Sequence, residues 1–113
     1  MQIAIQTHGL ALTEELRTYA ERRLSYALSW AEPRVRAVEV RCLHEQMSYG
    51  DTVNCCTLRL RVQHGEDLVI KEVQADIHTA IERASDRASR TLARQIQRRR
   101  GVHMAGYHYP ESF

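Results

Sequence analysis

The chain has 113 residues, 43% of them apolar and 27% charged, proportions that exclude wholesale disorder and leave little length for a second domain. A chain this long buries roughly two thirds of its unfolded surface, enough for one core without covalent staples. The formal net charge is only +2, and no stretch of sequence approaches the length of a membrane span.

The first predicted element is a strand over Gln2 to Thr7, with Ile3 and Ile5 on one face at period two. Thr13 is placed to cap a helix whose first turn carries Glu14 and Glu15, where the helix dipole favours acids. Leu16, Tyr19, Ala20, Leu24, Ala27 and Leu28 then recur at helical spacing, and the helix is expected to stop before Pro33. Period two returns over Val35 to Glu45, with Val38, Val40 and Cys42 on one face. Gln46 to Asp51 reads as a loop. The next strand is Thr52 to Gln63, with Cys56, Leu58, Leu60 and Val62 on one face and Cys55, Thr57, Arg59 and Arg61 on the other. His64 to Asp67 makes a hairpin turn into a fourth strand, Leu68 to Ala75, whose alternation is less clean.

Asp76 can cap a long last helix with an apolar stripe of Ile77, Ala80, Ile81, Ala84, Ala88, Leu92 and Ile96, running to about Arg100 with Gly101 as its stop. The order β-α-β-β-β-α predicts an α+β fold. In it, a four-stranded mixed sheet carries two helices on one face, and the first two strands pair in parallel through a right-handed crossover. Residues 1–101 form the domain, and 102–113 a short, flexible tail. Its aromatics, Tyr107, Tyr109 and Phe113, are open to three readings: stacking on bases, disorder, or docking on the domain.

Chemistry is sparse. Cys42, Cys55 and Cys56 are odd in number and lack a C-x-x-C spacing, which argues against a disulfide framework or a structural zinc site and for reduced thiols. His44, His64 and His78 are scattered, His103 and His108 fall in the last stretch, and no spacing suggests a metal site. Asp76 near His78 is a helix cap with no nucleophile motif beside it, so an enzyme is not expected, nor a cofactor or small-molecule substrate. The opening MQIAIQTHGL lacks the basic region and long apolar run of a signal peptide, so a cytoplasmic protein is expected.

The basic residues carry the functional signal. Lys71 is the only lysine among 16 Lys and Arg residues. A GC-rich genome, whose codons favour Arg over Lys, is the plain expectation for much of that preference, and placement is the better evidence. From Arg87 to Arg100 the chain carries Arg87, Arg90, Arg94, Arg98, Arg99 and Arg100 and no acid. Arg83, Arg87, Arg90, Arg94 and Arg98 lie at steps of four, three, four and four, on one side of the helix and displaced from the apolar stripe. Glu82 and Asp86 are expected to neutralise Arg87 and Arg90 in part, and nothing nearby pairs with Arg94 to Arg100. Like charges one turn apart repel, and a polyanion relieves that repulsion. On the first helix, Arg17 is expected to pair locally with Glu14 or Glu21, while Arg22 and Arg23 are freer. Arg59 and Arg61 are better explained as solvating an exposed sheet face.

The opening MQIAIQTHGLALTEELRTYAERRL resembles the start of the ribosome hibernation-promoting factor and ribosome-associated inhibitor A family, also called the sigma-54 modulation protein family. The likeness rests on Met1, Gln2, Ile3, Ile5, Thr13, Leu16, Tyr19, Arg23 and Leu24. ADIHTAIERASDRASRTLARQIQRRR resembles the family's final helix through Asp76, Ile77, Ala80, Ile81, Glu82, Asp86, Arg87 and Arg90. Three features depart from the family pattern: His78 replaces a usual Tyr, Ser25 to Trp30 holds no basic residue, and Arg94-Gln95-Ile96 fits two registers one turn apart. The resemblance implies a stress-response protein that binds the small ribosomal subunit and its rRNA near the decoding site, where mRNA and tRNA would sit, and holds ribosomes translationally inactive. The RNA-binding residues it implies are Arg22, Arg23, Arg83, Arg87, Arg90, Arg94 and Arg98, with Arg99 and Arg100 extending the cluster. Without the C-terminal dimerisation domain of long members, the chain resembles a short form, monomeric when free. Two other readings stay open: a general structured-RNA binder, and a protein-interaction regulator with an acidic partner.

Overall fold

The computed structural model describes the backbone of residues 1–103 and the side chains up to Arg99. Its elements are β1 (Gln2–His8), α1 (Glu14–Leu28), a 3-10 segment (Ser29–Arg34), β2 (Val35–Gln46), β3 (Thr52–Val62), β4 (Leu68–Gln74) and α2 (Ile77–His103). The sheet order is β1-β2-β3-β4. β1 runs parallel to β2, and the other neighbours are antiparallel. This is the α+β arrangement expected from the order of periodicities, with both helices on one face.

Local chemistry sets the boundaries. Thr13 is extended, and its hydroxyl oxygen accepts from the Leu16 N–H at 3.1 Å, starting α1. The α-helix ends at Leu28, earlier than expected, and a 3-10 segment then carries the chain past Pro33. A kink at Ala31 (φ −116°) breaks that segment, which puts Pro33 near the start of a new turn, where its missing N–H is not needed. The parallel β1–β2 crossover follows. A register shift between Val35 and Ala37 opens β2. It lets Val35 and Val38 both face the core despite a spacing of three.

The core is one cluster between the sheet and the helices. Ile5, Val38, Val40, Cys42, Cys56, Leu58, Leu60 and Ile70 meet Leu16, Ala20, Leu24, Leu28, Ala80, Ile81, Ala84, Ala88 and Leu92. Cys55 and Cys56 point to opposite faces, and all three cysteines are free thiols, buried in the fold. Hydrogen bonding with Cys42, together with burial, pushes the Cys56 thiol far up, which keeps it protonated and unreactive. β4 alternates poorly in sequence because Val69 and Val73 lie on the open face while Glu72 sits on the helix side, opposite Cys56.

Asp76 caps α2. Its carboxylate accepts from the Thr79 N–H at 3.0 Å and the Thr79 hydroxyl at 3.2 Å. The helix then runs through Gly101 to His103, so Gly101 is not the stop its residue type suggested. Glycine inside a helix costs only about 1 kcal/mol relative to alanine, and it ends one only where the residues after it close a capping turn. At about 1.5 Å per residue, α2 is roughly 40 Å long, well beyond what the sheet needs for cover. The tail aromatics Tyr107, Tyr109 and Phe113, and His108, lie outside the described residues.

Candidate nucleic-acid interface

α1 and α2 run side by side with the same polarity. Tyr19 meets His78, Arg23 meets Glu82 and Asp86, and Trp30 meets Ser89. The Tyr19 and His78 rings pack edge to face with centroids 4.7 Å apart, and the Tyr19 hydroxyl donates to the His78 carbonyl at 3.3 Å. Burial, then the Glu82 charge, push the Tyr19 phenol up. The Trp30 indole N–H donates to the Ser89 hydroxyl at 2.9 Å.

This seam corrects the expectation for Arg23. Its guanidinium lies 3.6 Å from both Glu82 and Asp86 and is 27% exposed, so it is a brace between the helices rather than a free cation. Glu82 and Asp86 are thereby occupied and do not pair with Arg87 or Arg90 as expected. The same guanidinium sits 5.7 Å from the centroid of the Tyr26 ring. Arg22, one residue earlier, is exposed. Arg17 has no carboxylate within 4 Å among the described residues, contrary to its expected local pairing.

On α2 the predicted stripe divides into two kinds of arginine. Arg87 donates to the Lys71 carbonyl and to Glu72 on β4. That hydrogen bond, then one from Gln74, hold the Glu72 carboxyl below its usual range. Arg83 and Arg90 share a shallow depression with Arg87, Glu72 and Asp86, three cations around two already paired acids. Arg83, Arg90, Arg94, Arg98 and Arg99 are exposed and, among the described residues, have no carboxylate within 4 Å. Arg99 departs from the stripe and lies beside Gly65 in the β3–β4 turn, where Gln95 also donates to the Glu66 carbonyl at 3.1 Å. The Arg100 side chain is outside the described residues.

The opposite face of the sheet is open, and two of its arginines are paired with acids. Arg61 pairs with Glu39 at 2.9 Å, and Arg59 with Asp67 at 3.4 Å. That agrees with reading those two arginines as solvating an exposed face. Among the described residues no three His, Cys, Asp or Glu side chains gather to hold a metal ion, and no helix is long and apolar enough to cross a membrane.

One side of α2, with Arg22 on α1, therefore carries a row of uncompensated arginines suited to phosphate oxygens. The family model described as sigma 54 modulation protein / S30EA ribosomal protein matches residues 3–100. The chain belongs to this family. Its fold is similar to a ribosomal subunit interface protein from Coxiella burnetii, with a TM-score of 0.71 and 11% identity over 83% of this chain and 96% of the other. It is also similar to the N-terminal domain of Protein Y from Thermus thermophilus, with a TM-score of 0.69 and 21% identity over 83% of this chain and 98% of that one. No curated protein sequence matches the chain. Membership makes this a ribosome-associated fold.

Two side chains in the seam were not singled out by the sequence. Tyr26 is 77% and Trp30 50% exposed. The available signal was spacing: Tyr19, Arg23, Tyr26 and Trp30 follow one another at four, three and four, a second stripe beside the apolar one.

Proposed function

We propose that this protein binds the small ribosomal subunit near the decoding site and holds ribosomes translationally inactive under stress, acting in the cytoplasm by occupancy rather than by chemistry. The observation that carries this reading is the row of exposed arginines on α2, Arg83, Arg90, Arg94 and Arg98, without acidic partners among the described residues, on a chain of a ribosomal protein family. Arg22 extends the charge onto α1. Arg99, off the row and beside the β3–β4 turn, adds charge near the helix end. Arg87 contributes through whatever its bonds to β4 leave free, and Arg23 holds the two helices in register.

Ribosomal RNA in A-form presents phosphates and 2′-hydroxyls to a rigid cationic ridge, and such recognition needs shape rather than base-by-base readout. The name of the Coxiella neighbour, a ribosomal subunit interface protein, supports a ribosomal partner. A ligand that fills the mRNA and tRNA path inhibits without a catalytic group.

Co-sedimentation with ribosomes through sucrose, at low and moderate salt and with subunits scored separately, tests the proposal. The expected result is retention on the small subunit that falls as salt rises, because each neutralised phosphate releases counterions. Absence from ribosomal fractions at low salt overturns it. Equal affinity for any RNA duplex would point instead to a general structured-RNA binder.

A further inference from the structure

We propose that the outer rim of the α1–α2 seam is a stacking site for an unpaired nucleotide, with Tyr26 and Trp30 taking the base and Arg22 a flanking phosphate. The proposal deepens the ribosomal reading and rests on it for the direction the helices face.

Of the four side chains along the seam from α1 and the 3-10 segment after it, three are occupied by α2. Tyr19 is taken by His78, Arg23 by Glu82 and Asp86, and Trp30 by Ser89. Tyr26 stands above Arg23 and is 77% exposed, with that guanidinium on its ring and no α2 partner among the described residues. Trp30 has its one polar atom satisfied at 2.9 Å by Ser89, yet is 50% exposed. What it shows to solvent is therefore ring surface, which water does not reward.

Both rings are held before any ligand arrives. The Trp30 hydrogen bond fixes the indole, and the braced Arg23 supports the Tyr26 ring, so stacking would cost little side-chain entropy. The last turn of α1 carries no basic residue, so this end of the helix offers rings in place of charge.

Charge decides what the rings fit. Arg22 lies one helical turn before Tyr26 on α1. It is exposed and has no carboxylate within 4 Å among the described residues. Aromatic rings beside an uncompensated arginine match a base and its neighbouring phosphate. A duplex offers phosphates but keeps its base faces stacked on one another, so the site selects single-stranded or bulged RNA.

Trp30 is the only tryptophan of the chain, so its emission reports on this rim alone. The full-length protein is titrated, at one low salt concentration, with a short single-stranded RNA and with a blunt RNA duplex of equal phosphate count. The single strand is expected to lower Trp30 emission about twofold or more, and the duplex to leave it nearly unchanged. Tyr26→Ala should weaken single-strand binding roughly fivefold or more, while Tyr26→Phe keeps it, because stacking needs the ring and not the hydroxyl. Equal quenching by both RNAs, or wild-type binding by a folded Tyr26→Ala, overturns the proposal. Ribosome binding with unaltered Trp30 emission overturns stacking and leaves the ribosomal reading standing. Quenching by single strands in a protein that ignores ribosomes does the reverse.

Discussion

The Arg87 guanidinium donates to the Lys71 carbonyl oxygen at 2.7 Å and to the Glu72 carboxylate at 2.5 Å, which fastens the long last helix to the edge strand of the sheet. The fastening has a pH signature. Glu72 titrates near 4.5 when unfolded and lower when folded, first because of the Arg87 hydrogen bond. Its stabilisation is therefore complete above about pH 4.5 and is lost as pH falls from there through the folded value. Arg87 is 45% exposed, so solvent screening limits the pair to about 0.5–1 kcal/mol. Melting temperature measured against pH should fall less steeply below that point in Glu72→Gln than in the native chain. Asp76 adds a loss of the same sign in a lower window, because the Thr79 N–H holds its carboxyl below 3.8. Parallel acid profiles for the two proteins would show that the pair contributes nothing.

Adjacent arginines on α1 are predicted to separate binding from stability. Arg23 bridges to Glu82 and Asp86 across the seam, and its Nε is buried without a hydrogen-bond partner. Arg22 is exposed. Arg22→Ala should leave the melting temperature unchanged and weaken ribosome retention. Arg23→Ala should lower the melting temperature by several degrees, since it leaves two acids facing each other's charge with no cation between them. Equal effects of the two substitutions on stability would mean that the brace is not formed.

The order of elements was legible because hydrophobic period switches cleanly between two and 3.6, and because Thr13 and Asp76 are side chains that cap helices. The bulge at Val35 and the 3-10 segment around Pro33 were not legible, since both depend on how the crossover packs rather than on local preference. On the site side, the α2 stripe could be read from spacing within one helix. The roles of Arg22 and Arg23 could not, because what distinguishes them lies on the other helix. Intrahelical spacing made Glu82 and Asp86 look like neighbours of Arg87 and Arg90, when the packed seam gives them to Arg23. Trp30 escaped for the same reason: its partner, Ser89, lies across the seam on α2.

Gly9, between β1 and α1, has φ +82°, and a Cβ there would collide with the His44 carbonyl oxygen at the end of β2. Gly50 has φ +99° and open space around it. Both glycines use a conformation that costs an L-residue about 1–2 kcal/mol, but only Gly9 also meets backbone. Gly9→Ala should therefore destabilise the fold clearly more than Gly50→Ala, as compared by urea midpoints. Equal midpoints would mean that the β1–α1 connection can move away from β2.

Reversing the ridge tests the RNA-facing side directly. Arg90, Arg94 and Arg98 are exposed and lie off the apolar stripe of α2. Changing all three to Glu should leave the melting temperature within a few degrees of the native value. Relieved repulsion within the arginine row partly offsets the new repulsion among the glutamates. Ribosome binding should fall at least a hundredfold, since each reversal removes one cation and places an anion against RNA phosphate. Replacing the same residues by Ala should weaken binding less and flatten its salt dependence, with the logarithmic slope reduced by about one for each phosphate that is no longer neutralised. Arg87 is left out of this set because its bonds to Lys71 and Glu72 would mix a loss of fold into the result. A folded triple-glutamate protein that still sediments with the small subunit would place the RNA-binding surface elsewhere, with the open face of the sheet, where Arg41 and Lys71 lie, the next surface to reverse.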